Sequence, residues 1–148
     1  MRMTAVDRTN TFDGKVQIFW GIGKPIKFDG TMMFAFSKCG KYVIDRSEGW
    51  FYRSDNILTE RDPAKIEWQL LPDGDVGLKN PEFGDVQAEQ NIVALSDGSI
   101  YCMYRTAGNH PCHAYSRDGG HTWTTPEYAT YTPGGRRFKN SRACPRVF

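Results

Sequence analysis

A pattern that occurs twice constrains this chain more than any single residue in it. Asp29-Gly30 is followed by the apolar run TMMFAFS, and Asp97-Gly98 by SIYCMYR, with Ser37 falling where Arg105 stands. A serine-aspartate turn and a tryptophan come next in both copies. In the first they are FYRSDN and Trp68, with ILTERDPAK interposed; in the second they are joined in AYSRDGGHTW. A self-similar unit of this size must be one supersecondary structure used repeatedly. Its segments KVQIFW, TMMFAF and SIYCMYR are short, rich in β-branched and aromatic residues, and bounded by Asp-Gly or Gly-Gly turns, which predicts strands. Helix signal is confined to LTERDPAKIEW, where Pro63 allows at most one or two turns.

The chain therefore reads as all-β, in approximate units 15–75 and 85–135, with 136–148 opening a further one. Repeats of about four short strands fit the blades of a β-propeller better than a sandwich, whose strands need not repeat. Closed propellers have about four to eight blades, so two units and flanking strand predict part of a longer protein.

With 148 residues, 39% hydrophobic and 24% charged, the chain can bury a core. Its formal charge of +2, from 19 basic and 17 acidic residues, is too balanced to make nucleic acid or an anionic membrane the expected partner. No apolar run reaches the roughly 18 residues of a membrane helix, and MRMTAVDRTNTFDGK holds no apolar stretch of an export signal. Cys39, Cys102, Cys112 and Cys144 are irregularly spaced without a C-x-x-C pair, which predicts buried thiols and favours a reducing compartment.

Ser116, Asp118, Gly120, Thr122 and Trp123 spell S-x-D-x-G-x-T-W. Asp118-Gly119-Gly120 supplies residues suited to a tight turn, Ser116 and Asp118 can accept bonds from turn amides, and Trp123 is expected to pack between sheets. The stretch resembles the Asp box of sialidase-like propellers, where it lies on the outer rim, so the resemblance implies a structural staple and not an active-site acid.

The stretch QAEQNIVALSDGSIYCMYR carries the candidate chemistry. Glu89 and Arg105 are equidistant from Asp97, so a hairpin centred on Ser96-Asp97-Gly98 is expected to set them opposite each other. A two-residue turn would instead set Arg105 against Gln90. The order Glu, apolar strand, LSDG, apolar strand, Arg and then an Asp box resembles the third or fourth blade of an exo-sialidase. That resemblance implies a six-bladed parent that removes terminal sialic acid from glycoconjugates with retention, through a tyrosine nucleophile and without a cofactor. It assigns Glu89 to polarising that tyrosine and Arg105 to the arginine triad that holds the sialic acid carboxylate.

The family's first arginine, its aspartate acid/base and its tyrosine have no assigned counterpart here, Asp45 included. Arg136, Arg137, Arg142 and Arg146 are candidates for a further triad member, Arg142 being preferred. Alternatives are a non-catalytic propeller binding glycan or protein, and a hydrolase of another sugar. His110, Cys112 and His113 in NHPCH lack a fourth ligand for zinc and read as a loop, substrate-facing or plain. GIGK lacks the rest of a phosphate loop, and Asp73-Gly74-Asp75 reads as a surface turn rather than a calcium site.

Overall fold

The computed structural model describes residues 17–19, 21, 23–40, 46–140 and 143–148, which build two antiparallel sheets. The first comprises β1 (Gln17–Phe19), β2 (Ile26–Phe28), β3 (Thr31–Cys39), β4 (Glu48–Ser54) and β5 (Gln69–Leu71). Both β1 and β2 lie along β3, at Ser37–Cys39 and Thr31–Met33, so the sheet is four strands wide in the order β1/β2, β3, β4, β5. The second runs β6 (Gln87–Ala94), β7 (Ile100–Thr106), β8 (Cys112–Ser116) and β9 (Glu127–Tyr128) in sequence. No α-helix occurs among the described residues. The segment containing Pro63 makes a single 3-10 turn, Pro63–Lys65, whose Ala64 amide is capped by the Asp62 carboxylate.

The two Asp-Gly turns differ although their sequences match. Asp29 and Gly30 are the two loop residues between β2 and β3, both with positive φ, the conformation that matches strand twist in the tightest hairpins. Ser96-Asp97-Gly98 is a three-residue loop in which only Gly98 has positive φ, closed by the Leu95 amide on the Ser99 carbonyl at 2.8 Å. Asp97 caps this loop through the amide and hydroxyl of Ser99, at 2.9 and 2.6 Å.

Strand β6 lies against β3 and β4, and the sheets pack face to face over Met33, Ala35, Phe51, Leu71, Ile92, Ile100, Cys102, Tyr104 and Ala114. Alternation along β3 and β4 sends Phe36, Trp50 and Tyr52 to the other face, where they bury Leu70 and pack with Phe34 and Trp68. Polar side chains fill one end of the cleft between the sheets: Gln87 accepts from the Asn80 amide at 2.7 Å and from Tyr104 Oη at 3.1 Å, and its own amide nitrogen donates to Ser47 Oγ at 2.7 Å.

Tying the other end together is the Asp-box turn. Trp123 stacks on Phe51 with centroids 4.7 Å apart and 20° between planes, and Arg53 Nη1 donates to the Gly119 carbonyl at 3.2 Å. Gly120 has φ 103°, which favours glycine, and a Cβ there would come within 2.6 Å of Met33 Cε, so the methionine would have to shift to keep the turn this close to the first sheet. Replacing Phe51, which is fully buried, removes the ring on which Trp123 rests. Phe51→Ala is expected to destabilise the chain by about 3–5 kcal/mol in denaturant titration, and Trp123 fluorescence should shift to longer wavelength in the variant before global unfolding.

Candidate functional site

Glu89 lies where β6 departs from regular pairing. Ala88 is paired with Arg105 and Asn91 with Met103, so Glu89 and Gln90 together face Tyr104 in a β-bulge. Glu89 has φ 65°, a left-handed conformation that costs a residue with a Cβ on the order of 1 kcal/mol or more. The symmetric hairpin expected from the sequence thus holds at the three-residue turn and fails at the bulge, because the extra residue moves Arg105 one position along β6.

Glu89 and Arg105 nevertheless meet. Arg105 Nη1 donates to Glu89 Oε1 at 3.1 Å, with the two side chains 20% and 9% exposed respectively. The bulge re-aims Glu89 toward a residue that it no longer opposes. Contact is through a single nitrogen: Glu89 Oε2 and Arg105 Nε are buried without a hydrogen-bond partner among the described residues. A buried acceptor and a buried donor, side by side on a carboxylate and a guanidinium, can take a ligand group that donates to one and accepts from the other.

Several neighbours carried no motif. Ser37 of the first sheet accepts from the Glu89 amide at 3.1 Å, and Asn91 Nδ2 bonds Cys144 Sγ at 3.3 Å. Cys144 also approaches the Glu89 carbonyl, at 3.9 Å. Burial, and then the charge of Glu89, push its thiol pKa up, against the Asn91 bond and the charges of Arg146 and Arg105. Cys144 therefore lies beside the bulge, a placement for which the sequence signal was the run of arginines around it.

Of those arginines, the preferred Arg142 lies outside the described residues, as does Asp45. Arg136 lies over Tyr131 at 5.1 Å and Arg137 over Tyr128 at 4.4 Å, so both are held on rings of the outer ladder. Arg146 is exposed and acts electrostatically on Cys144, which places it nearer the bulge. In NHPCH, His110 Nδ1 meets the Phe138 carbonyl, Cys112 is buried, and His113 joins Tyr101 and Tyr115 in a ring cluster. These three side chains point to different partners. Asp73 is engaged with His121 Nδ1 at 3.1 Å, a second link between the first sheet's end and the Asp-box turn.

Inside that turn, Ser116 Oγ donates to Asp118 Oδ1 at 2.8 Å and accepts from the Gly120 amide at 2.8 Å. Asp118 takes the Thr122 amide at 2.9 Å and the Thr122 hydroxyl, while Trp123 Nε1 donates to the Gly120 carbonyl at 3.1 Å. The first copy repeats the scheme with a neutral amide: Ser54 Oγ donates to Asn56 Oδ1 and accepts from the Ile57 amide, both at 3.2 Å, and Asn56 Oδ1 takes the Glu67 amide at 3.0 Å. The insertion is looped out between Asn56 and Glu67, so the same bonds close a longer turn.

No protein-family model matches the chain, and no curated protein matches it. Among solved structures it is similar to a crystal structure of a protein of unknown function from Dyadobacter fermentans DSM 18053, with a TM-score of 0.53 and 20% identity. The likeness covers 73% of this chain and 27% of that one, so the chain spans little more than a quarter of the solved protein's length. At this identity the similarity concerns the fold.

Two measurements check this geometry. Burial opposes ionisation of Asp118, but the bonds from Thr122 and Ser116 outweigh it and hold the carboxyl at about 2, below the ordinary 3.8. A lowered folded-state pKa stabilises above the unfolded value, and the gain is lost as pH falls through the folded one. Asp118→Asn should therefore lower stability near neutrality and flatten the acid loss between about pH 4 and 2 in pH-dependent melts. Thiol labelling of the native chain should modify half-buried Cys144 first, since Cys39, Cys102 and Cys112 are buried; equal rates at all four would contradict the packing.

Proposed function

We propose that this chain forms two neighbouring blades of a sialidase-type β-propeller and that Glu89 and Arg105 face its substrate pocket. The observation that carries the reading is the strained, buried bulge that turns a glutamate onto an arginine, with one carboxylate oxygen and the guanidinium Nε having no hydrogen-bond partner among the described residues. Non-glycine residues in left-handed conformation at a bulge concentrate where a side chain must be aimed for function. The sequence order around them is that of the exo-sialidase blade, and the two serine-anchored turns are the staples such blades carry.

On this reading the exposed part of the Arg105 guanidinium takes the substrate carboxylate, for which its planar fork provides charge-assisted bonds. Glu89 Oε2 accepts the hydroxyl of the tyrosine nucleophile. A neutral phenol suits an anionic sugar better than a carboxylate nucleophile, which the substrate would repel. As the phenolic oxygen bonds to the anomeric carbon its proton passes toward Glu89, and the leaving alcohol takes a proton from the acid/base; water then reverses both transfers. That acid/base and the tyrosine belong to the rest of the propeller. Asp118 has no part in the chemistry, since its oxygens are consumed by Thr122 and Ser116.

The test uses the full-length protein and a fluorogenic sialoside. Arg105→Ala should lower kcat/KM at least about 100-fold at matched folded fraction, while Asp118→Ala lowers the folded yield and leaves the rate per folded molecule. Equal losses in the two variants would overturn the assignment. Binding of free sialic acid that Arg105→Ala abolishes, without hydrolysis by the wild type, would favour a glycan-binding propeller.

A further inference from the structure

We propose that Ser37, on the first sheet, is a positioning residue for Glu89 on the second. Its hydroxyl holds the bulge in the conformation that turns the carboxylate onto Arg105. The inference rests on Glu89 being a pocket residue.

The bulge removes the Glu89 amide from the β6–β7 ladder, because two residues face one. A buried amide without an acceptor is unfavourable. Ser37 Oγ supplies an acceptor at 3.1 Å and itself donates a hydrogen bond to Gln90 Oε1 at 2.7 Å. Gln90 Nε2 then donates to the Gln87 carbonyl at 2.9 Å, so the chain of bonds begins within the bulge and returns to β6 just before it. Ser37 and Gln90 are both fully buried.

The first sheet is shaped for this contact. Gly49 is the cross-strand partner of Ser37, and a Cβ there would come within 2.8 Å of Gln90 Cγ. Only a glycine beside the serine admits the glutamine side chain. Without Ser37 Oγ, the regular register, with Glu89 directly opposite Arg105 and back in the ladder, becomes the better satisfied state. Thus the second sheet holds the glutamate but the first one aims it. A hydroxyl on the neighbouring sheet makes the geometry of the pocket depend on the packing of the two sheets.

Hydrogen exchange on this chain and kinetics on the full-length protein test the proposal together. Ser37→Ala should speed exchange of the Glu89 amide at least about tenfold while Ile92 and Cys102 amides in the same hairpin keep their protection. In the full-length protein kcat for the sialoside should fall at least about tenfold with KM within about threefold, and Ser37→Thr, which keeps the hydroxyl, should recover most of the rate. Ser116→Ala, which loses an equally buried hydroxyl in the far turn, should lower the melting temperature without changing kcat per folded molecule. If Ser37→Ala does not fold, Ser37→Cys, close in volume but a poor acceptor, gives the same comparison. Unchanged Glu89 protection, or a kcat loss no larger than that of Ser116→Ala, overturns the positioning role while leaving the Arg105 result intact. A wild type that cleaves no sialoside removes the proposed function, and the exchange of the Glu89 amide alone then decides whether Ser37 holds the bulge.

Discussion

The beginning of β6 is polar and buried at once, and the chain is arranged around satisfying it. Gln87, Glu89, Gln90 and Asn91 are all less than a tenth exposed, although their sequence would suit a surface. A buried amide or carboxylate is tolerated only where its bonds are completed. Ser37, Ser47 and Asn80 complete most of them from outside the second sheet, which fixes where β6 must lie against β3 and β4. Apolar burial over Phe51 and Ile100 drives the sheets together, but it is non-directional. The polar end gives that contact its register.

At the opposite end the same pair of sheets is tied by the Asp-box turn, through Trp123 on Phe51, Gly120 on Met33 and Arg53 on the Gly119 carbonyl. One motif thus does two jobs. Its serine and aspartate close the turn internally, and its glycine and tryptophan carry it onto the neighbour. The first copy keeps the internal part with Ser54 and Asn56, and Trp68 packs instead edge-on to Phe34 and Tyr52 within its own sheet. A neutral Asn56 suffices in the first copy because one oxygen accepts there while its Nδ2 donates to the Lys65 carbonyl, whereas Asp118 accepts with both oxygens.

With both ends fixed, the strain at Glu89 becomes sustainable. The left-handed residue donates its amide to Ser37 and its carboxylate contacts Arg105, while among the described residues one carboxylate oxygen and the guanidinium Nε have no partner. Their persistence beside a bulge is what distinguishes this pair from the surface pair Arg117 and Asp97, which lies at the turn of the same hairpin with both side chains largely exposed.

Strand-forming runs, Asp-Gly turns and the spacing of serine, aspartate and glycine were enough, from the amino-acid sequence, to establish an all-β chain and the internal bonding of the Ser116–Trp123 turn. These are local properties, set by alternation, glycine conformations and side chains that reach their own backbone. Pairing of Glu89 with Arg105 was legible as proximity, because hairpin symmetry needs only the turn. The bulge, the aim of the carboxylate and the parts played by Ser37, Gln90, Gly49 and Cys144 were decided by tertiary structure. They depend on hydrogen bonds between residues dozens of positions apart, which exist only when one sheet lies against the other.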